Sequence, residues 1–139
     1  MRICLDSNQF IFGIAGTDAA AEQLLLRLPY LDVVIPRLVM NEVTRNLSEP
    51  DAKALYALLR RAPQVTIVDA PVPAALVAKY TRLGLREKGD AWIGAFAEWQ
   101  QVTYLISDNR HFLTALPEAT FVVLTPERFL QQYWAGIGP

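Results

Sequence analysis

The stretch MRICLDSNQFIFGI (residues 1–14) sets a lone acid, Asp6, between two apolar runs. RICL (2–5) has the length and character of a buried strand, and Ser7 and Asn8 lead into a second run that reads as the start of a covered helix. A carboxylate between two segments built for burial must stand where the chain surfaces, within reach of water or a cation.

Working outward, the strand-then-helix unit returns along the chain. DVVI (32–35), VTIV (65–68), VTYLI (102–106) and TFVVL (120–124) are short and β-branched or aliphatic. They lack clean alternation, as strands covered on both faces do. Between them lie helix-forming segments with recognisable ends. AAAEQLLLRL (19–28) follows Thr17 and Asp18; Pro36 starts RLVMNEVTRNL, and Pro50 starts DAKALYALLRR. VPAALVAKYTRL ends at Gly84, Gly89 and Asp90 open DAWIGAFAEWQQ, and Thr125 with Pro126 opens ERFLQQYW, which Gly136 ends. Alternation of this kind predicts an α/β fold: a three-layer α/β/α arrangement around a central parallel sheet of about five strands, with Rossmann-type topology.

Bulk properties set limits on function. With 139 residues, 53% of them hydrophobic and 19% charged, the chain has the apolar mass for one domain spanning residues 1–139. A net charge of −1 argues against simple coating of a polyanion, so attraction to nucleic acid has to come from a local patch or bound cations. Cys4 is the only cysteine, which excludes an internal disulfide and suits a reducing compartment. Arg2, FIFGIAG and TDAAA imitate a secretory leader, but Asp6, Asn8 and Gln9 interrupt it, and no apolar run is long enough for a membrane span. A cytoplasmic protein is expected. No GxGxxG or GxxxxGK[ST] is present, so dinucleotide and P-loop chemistry are not indicated.

In a parallel sheet, ligands bind at the carboxyl ends of the strands, near the point where strand order reverses. Asp6 directly follows the first strand and Asp108 follows the fourth after Ser107. Asp90 begins the helix leading into that fourth strand, so all three belong on one edge. At about 100° per residue, Leu38, Val39, Val43 and Leu47 set an apolar arc that also contains Glu42 and Asn46. Two polar residues on a core-facing stripe need a pocket or partners. Each aspartate also reads as a helix cap, and Glu42 as a flank residue. Taken together, four clustered acids repel one another unless a cation holds them, and all-oxygen ligands select Mg²⁺ or Mn²⁺ over zinc.

LDSN (5–8), PRLVMNEV with Glu42, GDAWI (89–93) and LISDNRHF (105–112) resemble, in order and spacing, the four signatures of the PIN-domain nucleases. The resemblance covers essentially the whole chain. It implies an acidic pocket that binds Mg²⁺ or Mn²⁺ and cleaves RNA, and chains of this size resemble the toxins of VapBC-type toxin–antitoxin pairs. Asp6, Glu42 and Asp90 then match the first three acids, with Ser7 and Asn8 as the supporting polar pair. The family pattern at the fourth position is Thr-x-Asp, then an acidic residue and Phe two residues on. Counting back from Phe112 puts Asn109 at the usual Asp position, where it can still bind a metal-bound water or supply a carbonyl ligand, while the lost charge weakens a second metal site. Asp108 takes over if the turn is shifted by one residue, while Ser107 keeps a hydroxyl to orient a carboxylate.

The expected catalytic acids are thus Asp6, Glu42, Asp90 and Asp108, with Asp6, Asp90 and Asp108 on the metal and Asn46, Ser107 and Asn109 supporting. A divalent ion there would lower the pKa of a bound water and offset charge on the scissile phosphate. No Ser/His/Asp set is needed, and the only histidine, His111, reads as a turn residue. Arg37, Arg45, Arg86, Lys88 and Arg110 flank the edge as candidate RNA contacts. Trp92, Phe96 and Trp99 are expected to pack, as are Phe129, Tyr133 and Trp134 on the last helix. The first expectation is a metal-dependent endoribonuclease, the toxin of a toxin–antitoxin pair, dimeric and held by a small antitoxin. The alternatives are a PIN nuclease of RNA maturation or one acting on DNA, and a non-catalytic PIN-like module that binds RNA or protein.

Overall fold

β1 (Arg2–Leu5), β2 (Asp32–Pro36), β3 (Val65–Val68), β4 (Tyr104–Ile106) and β5 (Val122–Leu124) form one sheet in the order β3-β2-β1-β4-β5, with every pair parallel. The structure is a computed structural model and describes residues 1–86, 89–113, 116 and 118–134, with the side chain of residue 134 not described. Between the strands run α1 (Ser7–Ala15), α2 (Ala19–Leu26), α3 (Arg37–Asn46), α4 (Glu49–Arg60), α5 (Ala74–Arg82), α6 (Asp90–Trp99), α7 (Arg110–Leu113) and α8 (Pro126–Phe129). A 3₁₀ turn, Leu28–Tyr30, connects α2 to β2. This is the three-layer α/β/α fold expected from the alternation of elements.

The layers follow from the period of two along each strand. Ile3 and Leu5 of β1, Val33 and Ile35 of β2 and Ile106 of β4 face a core shared with Phe10, Leu24, Val39, Val43, Leu55 and Phe129. Cys4, Val34 and Leu105 face the opposite way, onto Tyr80, Ala91, Ala95 and Phe96 of α5 and α6. The central strands β1 and β2 are therefore covered on both faces, as expected. The outer strands are not: β3 is only partly buried and Val122 of β5 is exposed, because an edge strand has an open flank. Cys4, in the middle of the central strand, is fully buried; burial, with the nearby Asp6 charge, pushes its thiol far above the usual range.

Local chemistry sets the helix ends. Asp6 caps α1 by accepting from the Gln9 amide, and Gly16 closes that helix in the left-handed conformation at φ 74°. Ser48 caps α4, so the helix begins at Glu49 with Pro50 inside its first turn, slightly earlier than the proline alone indicates. Thr125 caps α8, which passes into a π-helical turn, Leu130–Trp134, instead of continuing as one α-helix. Tyr133 there hydrogen-bonds through its hydroxyl to that of Tyr104 and packs on Phe129. Gly136, read as the end of this helix, lies outside the described residues.

The apolar face of α3 differs from the sequence expectation. Val39, Met40 and Val43 are buried, whereas Leu38 is 51% exposed. Including Met40 turns the buried stripe away from Leu38, which leaves Glu42 and Asn46 on exposed flanks. The α5–α6 contact is built around Tyr80, whose buried ring carries a hydroxyl donating to Glu98 Oε1 at 2.9 Å; Lys79 Nζ donates to the same oxygen at 2.6 Å. Phe96 is fully buried; Trp92 stacks on it and Trp99 meets it edge to face, as packing residues. Among the described residues, no helix is long and apolar enough to cross a membrane.

Candidate active site

Strand order runs outward from β1 through β2 to β3, then returns to β4 on the other side of β1. The carboxyl ends of β1 and β4 therefore flank the switch point, where the diverging connections leave a crevice. Their register puts Leu5 beside Ile106, so the residues that follow, Asp6 and Ser107, emerge side by side. The Asp6 amide extends the ladder by donating to the Ile106 carbonyl at 3.2 Å.

A cavity of about 240 Å³ opens here. Asp6, Ser7 and Asn8 line it from the β1 end, Glu42 from α3, Gly89, Asp90 and Ile93 from the start of α6, and Asn109 and Phe112 from the β4 end. Among the described residues, no Lys or Arg lines it. Two larger concavities lie along α5 and α6 and at the opposite sheet edge, and neither brings carboxylates together.

Asp6 does two jobs at once. Its Oδ1 accepts from the Gln9 amide at 3.3 Å as the α1 cap, while its Oδ2 accepts from the buried Ser107 hydroxyl at 2.5 Å. The Asn109 amide donates to Ser107 Oγ at 3.0 Å, which leaves the serine proton directed at Asp6. Burial raises the Asp6 carboxyl to about 6; bonds from Ser107 and Gln9 oppose the rise, and the Asp108 charge adds to it.

Asp90 is not a cap, since Gly89 holds that position and no side chain caps α6. Its Oδ1 accepts from Asn109 Nδ2 at 3.1 Å, and its Oδ2 is buried without a hydrogen-bond partner. Asn109 Oδ1 accepts from the His111 amide at 2.9 Å and so starts the short helix α7. A buried carboxylate oxygen with no donor is costly in itself and fits a site for a cation.

The remaining expected residues separate clearly. Glu42 reaches the rim of the cavity. Asp108 does not line it; Asn109 does, and Asp108 Oδ2 accepts from Gln9 Nε2 at 3.1 Å. Asn46 also stays outside, donating to the Glu42 carbonyl at 2.8 Å. Arg37 is ion-paired with Asp69 at 2.7 Å, and Arg45, Arg86 and Arg110 are exposed. Lys88 lies outside the described residues. Gln9 is the residue the sequence reading missed. Only 1% exposed, it joins Asp6 to Asp108 through its amide and side chain. Its signal was a polar residue three positions after Asp6 in an apolar run.

The donor set, carboxylates with hydroxyl and amide oxygens, suits a hard divalent ion. Among the described residues no three His, Cys, Asp or Glu side chains are gathered into a ready ligand cluster. The fit is therefore to an ion held by one or two carboxylates, with water filling its other positions, as Mg²⁺ prefers. Asp6 and Asp90 are the residues that would hold it.

Fold and cleft together define a class: a parallel α/β protein with an acidic, all-oxygen pocket at its strand-order switch. The chain belongs to the PIN domain family, whose model matches residues 3–115; PIN domains are generally nucleases that use divalent metal ions. Among solved structures, the crystal structure of VapBC2 from Rickettsia felis bound to a DNA fragment from their promoter contains a chain similar in fold. The TM-score is 0.60 at 17% identity, covering 90% of this chain and 98% of that one. No curated protein sequence matches the chain significantly.

Proposed function

We propose that this protein is a metal-dependent endoribonuclease that hydrolyses RNA phosphodiester bonds, using Mg²⁺ or Mn²⁺. The observation that carries the reading is the meeting of Asp6, Glu42 and Asp90 in one cavity that no Lys or Arg lines among the described residues. When bound, a divalent ion supplies positive charge against the scissile phosphate and makes water more acidic. The chain's own part is positional: Ser107 fixes one oxygen of Asp6, Asn109 fixes one oxygen of Asp90, and Glu42 faces the approaching substrate from the rim.

The biological setting we infer is the toxin half of a VapBC-like type II toxin–antitoxin pair, acting in the cytoplasm as a homodimer and restrained by a small antitoxin. Family membership and the fold shared with a chain of the VapBC2 complex support it. A neighbouring reading frame for a small protein that co-purifies with this one is the expected companion.

The test is cleavage of a mixed structured RNA pool by partner-free protein in Mg²⁺, Mn²⁺ or EDTA, beside Asp6→Asn. Cutting that requires the metal and is lost in the variant is the expected result. Full activity in the variant would remove Asp6 from the mechanism. A second reading, a PIN-like module that binds RNA or protein without cutting, is favoured by one observation: Asn109 puts an amide where the family pattern has an acid. A folded wild type that binds metal and RNA but leaves the pool intact would select it.

A further inference from the structure

We propose that Asn109 is a positioning residue that makes this pocket a site for a single divalent ion, and that restoring a carboxylate at this one position would create a second. The inference rests on reading the pocket as a cation site.

Both polar ends of the Asn109 side chain are engaged. The partner of Oδ1 is the His111 amide, which can only donate, and the partner of Nδ2 is the Asp90 carboxylate, which can only accept. The amide's orientation is therefore fixed by its neighbours. Oδ1 is turned to the His111 amide, and the end of the side chain that faces Asp90 is Nδ2, which cannot ligate a cation, so Asn109 acts on the ion through Asp90. It holds Asp90 Oδ1 and leaves Oδ2, buried and without a donor, as the oxygen of that residue presented for a metal.

A carboxylate at position 109 would reverse this arrangement. It could still accept from the His111 amide, but its other oxygen would face Asp90 Oδ1 at the 3.1 Å now spanned by a hydrogen bond. Two anionic oxygens at that distance repel unless a cation lies between them or one takes up a proton. The amide thus does, within the protein, what an additional ion would do in a four-acid pocket. Among the described residues three carboxylates line the cavity but are not gathered into a ligand cluster, which agrees with one ion that keeps much of its water.

Mn²⁺ binding measures this without reference to activity. Protein stripped with EDTA and dialysed is titrated with Mn²⁺, and the free ion is followed by its electron paramagnetic resonance signal, with circular dichroism to verify folding. The wild type should bind one ion per chain and Asn109→Asp two. Asn109→Ala should keep one, bound roughly 10- to 100-fold more weakly, as loss of an orienting partner does. Two ions in the wild type, or an Asn109→Asp protein that folds yet stays at one, would overturn the inference. If that variant does not fold, the wild-type stoichiometry decides. One bound ion with no RNA cleavage would remove the nuclease reading and leave this inference standing, whereas no Mn²⁺ binding by folded wild type would end both.

Discussion

The Ser107 hydroxyl donates to Asp6 Oδ2 at 2.5 Å, tying together the ends of the two strands between which the sheet reverses its order. One bond therefore joins the fold's topology to the chemistry of its pocket, because the serine proton is aimed by the Asn109 amide behind it. Ser107→Ala removes the donor and leaves a half-buried carboxylate less satisfied. The expected loss is about 1–3 kcal/mol of stability in metal-free protein, measured by urea unfolding. Ser107→Thr, which retains a hydroxyl, should recover part of it, and an alanine variant as stable as wild type would mean the bond contributes nothing.

The raised Asp6 carboxyl gives metal-free protein a pH signature. In the unfolded chain it titrates near 3.8 and in the folded protein near 6, so between these values the native state binds more protons. Stability then falls as pH rises through that window and levels off above about 6. The full difference corresponds to about 3 kcal/mol, at 1.36 kcal/mol per unit. Asp6→Asn keeps a good helix cap and cannot ionise. In EDTA, the variant should lack this component and be more stable than wild type at pH 7 by up to that amount. Equal pH dependence in urea melts of the two proteins would show that Asp6 is not strained by burial.

Asp90 and Asp108 should separate on metal binding. Asp90 lines the cavity with a buried, unpartnered oxygen, whereas Asp108 does not line it and accepts from the Gln9 side chain. The expectation for Asp90→Asn is loss of most of the rise in melting temperature that Mn²⁺ confers, since only ligands of the native state contribute it. Asp108→Asn should keep it. The opposite order would mean that the turn rearranges on binding and brings Asp108 in.

Gly13 marks a place where two helices come too close for a side chain. A Cβ there would lie 2.6 Å from Leu25 Cδ1 and 2.9 Å from the Ala21 carbonyl, and the second contact is backbone that cannot rotate away. Despite the better helix propensity of alanine, Gly13→Ala is expected to destabilise by about 1–3 kcal/mol. Thermal unfolding of the pair decides it, and an unchanged midpoint would imply that α1 and α2 slide apart freely.

Much of this was legible in the chain, for identifiable reasons. RICL, DVVI and VTIV were marked by β-branched runs, and Asp6 and Asp90 could be placed because a parallel sheet fixes which strand ends share an edge. Which of Asp108 and Asn109 lines the cavity is different in kind: a one-residue matter of turn geometry, set by hydrogen bonds to His111 and Ser107 that no periodicity encodes. On α3, leaving Met40 out of the stripe put Leu38 and Asn46 on the wrong side, since a short helix offers few apolar residues to define its phase. Gln9 was visible but unreadable, because its partner Asp108 lies 99 residues away.

The solitary thiol at the heart of the sheet gives the molecule a built-in reporter. Cys4 is sealed between both helical layers and is held strongly protonated, so an alkylating reagent can reach it only when the central strand itself comes free. Peripheral fraying leaves it silent. The labelling rate is accordingly a clock for whole-molecule opening, with no engineered probe and no second sulfhydryl to confuse the count.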